Sequence, residues 1–321
     1  MTTFTESVIQ QLTPANVYII ILYIILHTGL SRIFQDPLRH VPGPLIARLT
    51  PTWLWYLSWT GIECTVLDDL HKKHGPVIRI APNEIDISDG AAVLPIYIKN
   101  GGYPKSPNYR NVDVNGFPTI FSVLDPAHRA VRAKAVAPLF AQQAVLKGKP
   151  VVKQVVNAMT TELERRKAEA AGGPVDVLNL FRAMFIECVA CYLLGKSFDG
   201  IGKNRLSATA FIDGFAAGGR FFLLPGWLFR HVDHWAARMH SKRKDIEKST
   251  DVIQEFAAQL VDESLREEKG SRQTYQGRLL DAGISREETI SQVVDILFAG
   301  TDAAARTLTI FAENIGTQEN M

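Results

Sequence analysis

His128 and Arg132 are the first residues whose types and spacing could do chemistry. They lie four positions apart, so a helix would place both side chains on one face. An imidazole beside a guanidinium can hold a carboxylate or a phosphate through charge-assisted hydrogen bonds. Arg129 and Lys134 add positive charge to the same stretch. The spacing alone therefore leaves two interpretations, an anion clamp and a solvated basic helix face.

The carboxylate of Asp302 is the second candidate, because it stands in an apolar stretch two residues after Gly300. A glycine inside a helix costs about 1 kcal/mol relative to alanine. Gly300 therefore indicates the close approach of a flat, bulky group or a local kink.

The three cysteines, Cys64, Cys188 and Cys191, are too few for a disulfide framework in a chain of 321 residues. Cys188 and Cys191 form a C-x-x-C, but a structural zinc site needs four ligands. We interpret both as core thiols and expect no metal site. A net charge of +2 gives no case for nucleic-acid binding. The content of 46% hydrophobic and 21% charged residues indicates a globular chain.

A long helical pattern over residues 285–316 must position Asp302. Ser285 and Glu288 form a capping box at its start. Apolar residues then recur at helical spacing, namely Ile290, Val293, Val294, Leu297 and Phe298. Gly316 is the expected end. We expect this helix to cross the middle of a large domain.

The remaining patterns predict a mainly α fold with a small β-sheet. Asp125 is a good N-cap before Pro126, so the helix that carries His128 begins there and ends at Pro138. Further helices are predicted over residues 67–74, 151–169, 174–194 and 238–269, and a β-hairpin over 77–80 and 84–87. Loops are predicted over 100–118 and 269–281, and the apolar region 211–235 should break at Pro225-Gly226.

The N-terminal segment contains ten consecutive apolar residues, 17–26, and approaches the roughly 20 residues that span a bilayer. We predict a luminal N-terminus (1–14), a single-pass transmembrane anchor (15–34), a proline-rich hinge (35–50) and one domain (51–321). The arginines after the segment place the body in the cytosol. A signal-peptide core and a tilted, partly interfacial helix are the alternatives.

Several motifs occur in an order that resembles a known family. After the apolar segment come Pro42-Gly43-Pro44, then H-G-P-V-I-R-I-A-P-N-E-I, F-S-V-L-D-P-A-H-R-A-V-R and finally A-G-T-D at 299–302. The chain resembles the N-terminal part of a membrane-bound cytochrome P-450, a haem-thiolate monooxygenase, and most closely the fungal members. The resemblance extends to about Gly316. It implies a partial cytochrome P-450 fold, with a catalytic domain truncated after the long central helix.

The resemblance assigns roles to individual residues. His128 and Arg132 match the positions that contact the propionates of haem (heme). Ala299 and Gly300 match the place where the central helix passes over the haem face and oxygen binds. Asp302 matches the acid of the proton-delivery pair.

Two departures from the family pattern bear on catalysis. Ala303 occupies the position of the usual threonine, and a general acid–base group is typically worth about 10²–10⁴ in rate. Ala303 therefore favours a water relay or a reaction without oxygen activation. In addition, none of the three cysteines lies in the family's F-x-x-G-x-R-x-C-x-G loop. The chain thus lacks the thiolate that holds the haem iron.

The resemblance implies a haem-dependent monooxygenase that oxidises a lipophilic small molecule in secondary metabolite biosynthesis. It also implies NADPH–cytochrome reductase as a partner, contact with membrane lipid and an endoplasmic-reticulum location. Without the iron-ligating cysteine, we expect this truncated chain to be inactive alone. The alternatives are a haem-free, membrane-anchored pseudoenzyme or binding protein, and an oxygen-independent haem isomerase or dehydratase of the same fold.

Overall fold

The computed structural model describes residues 14–34, 36–201, 208–239 and 243–318. The chain divides into two compact units, Met1–Tyr103 and Pro104–Met321. About 71% of the structure is helical and its one sheet has two strands, which confirms the mainly α prediction. Residues 1–13, most of the predicted luminal N-terminus, lie outside the described ranges.

Within its described residues, the first unit contains four α-helices and one hairpin, followed by short 3-10 and π-helical turns over residues 90–101. They are α1 (Pro14–Phe34), α2 (Leu45–Leu49), α3 (Thr52–Thr60), α4 (Glu63–His74), β1 (Val77–Ala81) and β2 (Glu84–Ile87). The strands pair antiparallel, with Ile78 opposite Asp86. The hairpin prediction is confirmed. Helix α4 ends at His74 as predicted, but it begins at Glu63, four residues before the expected start.

Helix α1 covers the predicted anchor. Its 21 residues correspond to about 31 Å at the usual helical rise, close to the roughly 30 Å hydrocarbon thickness of a bilayer. Apolar side chains along it, including Tyr18, Ile19, Leu22 and Tyr23, are exposed. Membrane insertion of α1 remains a prediction.

The predicted hinge packs along strand β1. The Arg79 amide donates to the Pro42 carbonyl at 2.7 Å. A Cβ atom at Gly43 would overlap the Arg79 carbonyl oxygen, so this close approach requires glycine. The buried Arg79 side chain pairs with Asp36. These contacts fix the segment that precedes the hairpin.

The second unit carries the remaining helices. They are α5 (Pro126–Val136), α6 (Gln142–Glu169), α7 (Val177–Val189), α8 (Ala208–Gly219), α9 (Gly226–Met239), α10 (Arg243–Arg266), α11 (Tyr275–Asp281), α12 (Arg286–Ala299) and α13 (Asp302–Gln318). The Asp125 side chain accepts the amides of Ala127 and His128, which confirms the predicted N-cap of α5. Helices α8 and α9 confirm the predicted break at Pro225-Gly226.

Helix α12 lies in the core of this unit, since Val293, Val294 and Leu297 are almost fully buried. They belong to one hydrophobic cluster with Val261 of α10 and Leu279 of α11. This cluster fixes the helix that leads to Asp302.

The prediction of a surface loop over 269–281 was wrong for its second half, because Tyr275–Asp281 forms the buried helix α11. Thr274 caps it, and Tyr275 and Leu279 are buried. The Gln276 side chain donates to the Leu194 carbonyl at 3.0 Å. A polar side chain of this stretch therefore makes a hydrogen bond in the core, which a hydropathy pattern does not reveal.

The central pattern forms two helices rather than the predicted single one. Helix α12 ends at Ala299 and α13 begins at Asp302. The Thr301 amide donates to the Phe298 carbonyl at 3.1 Å, a tightened turn at the break. Helix α13 continues to Gln318, two residues past the expected end at Gly316.

Among the described residues, one helical stretch, Val177–Leu194, is long and apolar enough to cross a membrane by length and composition. Half of it is buried inside the protein. It contains α7, which packs against α6 and α13. We therefore treat it as a core helix of the second unit.

Candidate functional site

His128 and Arg132 meet an anion that belongs to the protein itself. The Arg132 Nη2 group donates to Glu288 Oε2 at 2.8 Å, and its Nε donates to Glu288 Oε1. Its Nη1 donates to the His128 carbonyl at 3.0 Å. The guanidinium thus holds the carboxylate with two parallel bonds, the geometry that the anion-clamp interpretation requires.

The His128 imidazole is less fully engaged. Its Nε2 lies 3.5 Å from Glu288 Oε1 and is buried without a hydrogen-bond partner among the described residues. Burial alone would raise the pKa of Glu288, but Arg132, His128 and Gln292 together lower it below its ordinary value. The Glu288 amide donates to the Ser285 hydroxyl at 3.2 Å, as predicted for the capping box, and the Glu288 carboxylate connects α12 to α5.

Ala299 and Ala303 lie one turn apart and are both exposed. Two hydroxyls flank them differently. Thr307, exposed one turn later, donates to the Ala303 carbonyl at 2.8 Å, whereas the buried Thr301 donates to the Leu297 carbonyl at 2.6 Å. Both alanine side chains are small and exposed, and we call this pair the Ala299/Ala303 face.

Close packing against α7 requires a glycine at position 300. A Cβ atom at this position would lie 2.5 Å from Val189 Cγ2 of α7, closer than real Cβ contacts come. Its backbone is helical, with φ of −77°. The structure explains Gly300 by helix–helix packing and by the break, while Ala299 occupies the exposed side.

We expect Gly300→Ala to destabilise the protein by about 1–2 kcal/mol, because overpacking against Val189 exceeds the gain in helix propensity. Val189→Ala in the same chain should restore most of the loss. Urea unfolding followed by circular dichroism measures both. Gly219→Ala is the matched control, since a Cβ there has nothing within 4 Å. Equal effects at Gly300 and Gly219 would contradict the packing explanation.

Asp302 is held by two arginines. Arg182 of α7 donates to Asp302 Oδ1 from Nη2 at 2.7 Å and from Nε at 3.1 Å. Arg306 Nε lies 2.9 Å from Oδ2. Arg182 also reaches Asp213 of α8 at 3.4 Å. The Arg182 side chain is only 1% exposed, against 51% for Arg306. One buried cation therefore joins α7, α8 and α13.

The predicted site residues lie in two groups. His128 and Arg132 meet the first turn of α12, whereas Ala299 ends that helix and Asp302 begins the next. The eleven positions from Glu288 to Ala299 correspond to about 16 Å along the helix axis.

Among the participants that were not predicted as site residues are Arg182 and Glu288. Arg182 is the only charged residue between Val177 and Ile186, and a lone charge in such an apolar helix predicts a buried partner. No local pattern connects Glu288 with Arg132, which lies 156 positions earlier.

Two of the three thiols, those of Cys188 and Cys191, pack against a core cluster. Cys188 and Cys191 are half-buried and pack near Leu180 and Met184. Burial raises the pKa of Cys188 to about 11 and that of Cys191 to about 12. Both groups therefore stay protonated at neutral pH. Cys64 is exposed on α4. Within the described ranges, no group of three His, Cys, Asp or Glu side chains could hold a metal ion.

Comparison with known proteins matches the chain to one family. The family model for cytochrome P450 covers residues 42–312. Cytochrome P450 monooxygenase mfmF of Annulohypoxylon moriforme is 36% identical over 313 residues, which cover 92% of this chain and 62% of mfmF. Cytochrome P450 monooxygenase tazI of Aspergillus terreus is 27% identical over 201 residues, or 61% of this chain and 40% of tazI.

The chain therefore spans about 60% of the length of mfmF. The match covers the clamp on α5, the core helix α12 and the Asp302 network. The chain belongs to the cytochrome P450 family.

Proposed function

We propose that this chain provides the haem-facing part of a fungal, membrane-anchored monooxygenase that oxidises a lipophilic small molecule in secondary metabolism. The Ala299/Ala303 face, beside an acid held by Arg182, is the observation that carries the proposal. When bound, haem supplies the iron centre at which oxygen is activated.

Two features of the chain suit a haem group. The buried His128 Nε2 has no hydrogen-bond partner among the described residues, so an added carboxylate would satisfy it. The Ala299/Ala303 face consists of small, exposed side chains, which suit contact with a flat ring system. Two donors of Arg132 already hold the Glu288 carboxylate. To bind a propionate, Arg132 would therefore have to release Glu288 or contact both carboxylates at once.

Asp302 is proposed to hold and release a proton beside this face. Its carboxylate accepts from both Arg182 and Arg306. The exposed Arg306 contact is the one that opens more easily, because Arg182 is fixed in the core. Ala303 provides no hydroxyl, so protons must move through water, or the reaction needs no oxygen activation. Oxygen uptake coupled to substrate turnover would exclude the isomerase or dehydratase alternative.

The enzyme is proposed to work at a membrane and to receive electrons from a partner protein. Helix α1 is proposed to anchor the chain in the endoplasmic-reticulum membrane, with the body facing the cytosol and in contact with membrane lipid. NADPH–cytochrome reductase is the proposed electron donor. Protease protection of microsomes that contain the full chain tests this orientation.

Haem binding by the purified chain is the direct test. We expect titration with haemin to give a saturable absorbance band. Arg132→Gln should weaken the affinity about ten-fold, the size of one charge-assisted hydrogen bond. Arg129→Gln is the matched control, because this exposed arginine lies on the same helix. Equal affinity for the two variants would contradict the assignment of the clamp to haem.

A haem-free binding protein is the second candidate, and the pairing of Arg132 with Glu288 favours it. In this case the clamp is structural and needs no added anion. Its expected outcome is the absence of a saturable haemin signal in the folded chain, together with a loss of stability in Arg132→Gln. The same titration and an unfolding curve therefore separate the two functions.

A further inference from the structure

The sequence contains two Asn-Gly pairs, Asn100-Gly101 and Asn115-Gly116. Asparagine before glycine is chemically labile, because the backbone amide of a residue without a side chain can reach the asparagine side-chain carbonyl. Both asparagines have a left-handed backbone, with φ of 56° at Asn100 and 53° at Asn115. The two pairs therefore start from similar local conformations, and their surroundings decide how they differ.

The main chain and the side chain of Asn115 are both held. The Val114 amide donates to the Phe117 carbonyl at 3.1 Å, and the Phe117 amide donates to the Val114 carbonyl at 2.9 Å. These bonds close a two-residue hairpin turn around Asn115 and Gly116. The Asn115 side-chain amide donates to Gln254 Oε1 at 3.0 Å, and the Gln254 amide donates back at 3.1 Å. The Asn115 carboxamide cannot turn toward the Gly116 nitrogen without losing both of these side-chain bonds.

Asn100 lacks these restraints. Its side chain is exposed and has no hydrogen-bond partner among the described residues. A Cβ atom at Gly101 would meet nothing within 4 Å, so solvent and a rotating carboxamide have space beside this amide. The Gly102 amide donates to the Lys99 carbonyl at 3.0 Å, a bond that spans the turn without engaging the Asn100 side chain. The carboxamide of Asn100 is therefore free to approach the Gly101 nitrogen.

We propose that Asn100 is a site of spontaneous deamidation, with water as the co-reactant. The Gly101 nitrogen attacks the side-chain carbonyl carbon of Asn100 and loses its proton. A bond forms between these two atoms, the bond from that carbon to the side-chain nitrogen breaks, and this nitrogen leaves with the proton as ammonia. Water then opens the resulting succinimide ring at either carbonyl and leaves aspartate or isoaspartate. Nothing is oxidised or reduced in either step.

The products would alter the end of the first unit, because Asn100 lies shortly before Tyr103, its last residue. Either product adds a negative charge beside the exposed Lys99. Isoaspartate also lengthens the main chain by a methylene group, which disturbs the bond between Gly102 and Lys99. The site requires neither haem nor the clamp residues. It therefore stands apart from the proposed monooxygenase function, and either can fail without the other.

Incubation of the purified 321-residue chain in heavy-oxygen water tests the proposal. Each deamidation takes up an oxygen atom from the solvent, and mass spectrometry of proteolytic peptides follows the two asparagines separately. We expect Asn100 to react at least about ten-fold faster than Asn115, because Asn115 must first break its hydrogen bonds. In urea the two sites should react at similar rates. Equal rates in the folded chain, or a difference that persists in urea, would overturn the proposal.

Two variants locate the effect. Gln254→Ala releases the Asn115 carboxamide and should leave the fold intact, because Gln254 is partly exposed on α10. We expect Asn115 to deamidate about five-fold faster in this variant, the contribution of two exposed hydrogen bonds, while Asn100 keeps its rate. Asn100→Gly accepts the positive φ and should remove the fast site without affecting Asn115. Solvent oxygen that still enters this turn in Asn100→Gly, or an unchanged rate of Asn115 in Gln254→Ala, would overturn the assignment.

Discussion

Replacing Arg182 with methionine should destabilise the protein by about 3 kcal/mol. Breaking a buried ion pair by removing one partner typically costs about 3–5 kcal/mol, since the remaining charge is left uncompensated. The Arg182 side chain is 1% exposed. Its removal would leave the carboxylates of Asp302 and Asp213, which are 20% and 34% exposed, without this partner. We expect the lower end of the range, because Asp302 keeps its contact with Arg306.

The measurement is urea unfolding of the full chain followed by circular dichroism, with Arg306→Met as the matched control. Arg306 holds the same carboxylate but is half-exposed, so its loss should cost below about 1 kcal/mol. The double variant Arg182→Met/Asp302→Asn should regain part of the stability. Equal effects of Arg182→Met and Arg306→Met would show that the burial of an arginine does not determine how much it contributes to stability.

The Arg182 network illustrates why the sequence predicts local structure better than tertiary partners. Asp125 and Pro126 define the start of α5, because a cap acts on amides two or three positions away. By contrast, Arg182 and Asp302 lie 120 positions apart. Arg182 could be recognised as unusual in its apolar helix, but its partners could not be named.

The clamp formed by His128 and Arg132 was also predictable only in part, because its helix is local but its partner is distant in the sequence. The spacing of His128 and Arg132 places them on one helix face, and the structure keeps them there. Their actual partner, Glu288, has a local role in the sequence as a capping residue. Tertiary packing gave its carboxylate a second role. Helix periodicity cannot choose between a haem propionate and an internal carboxylate.

The break between α12 and α13 was predictable in part. Gly300 correctly indicated something unusual, and both a kink and a close approach are present. The approaching group on its side of the helix is Val189 of α7, which comes 111 positions earlier in the sequence. The burial of α11 was missed because its polar residues suggested exposure to solvent, whereas the Gln276 side chain donates to the Leu194 carbonyl in the core.

Asp295 on α12 should make the protein less stable at neutral pH than at acid pH. Burial raises the pKa of this carboxyl from 3.8 to about 6, although the Thr119 hydroxyl and Lys105 oppose the shift. The folded state therefore binds this proton more tightly than the unfolded state. Stability falls as the pH rises from about 4 to 6, and the loss is complete above the folded pKa.

Asp295→Asn should remove this loss and stabilise the protein by about 2 kcal/mol at pH 8. The pKa shift alone corresponds to roughly 3 kcal/mol, and the remaining solvent contact of the side chain reduces it. At pH 4 the difference should nearly vanish, because the folded wild type is protonated there. Urea unfolding at both pH values measures the effect, with the exposed Asp251→Asn on α10 as the control. A gain of equal size at pH 4 and pH 8 would attribute the stabilisation to packing rather than to charge.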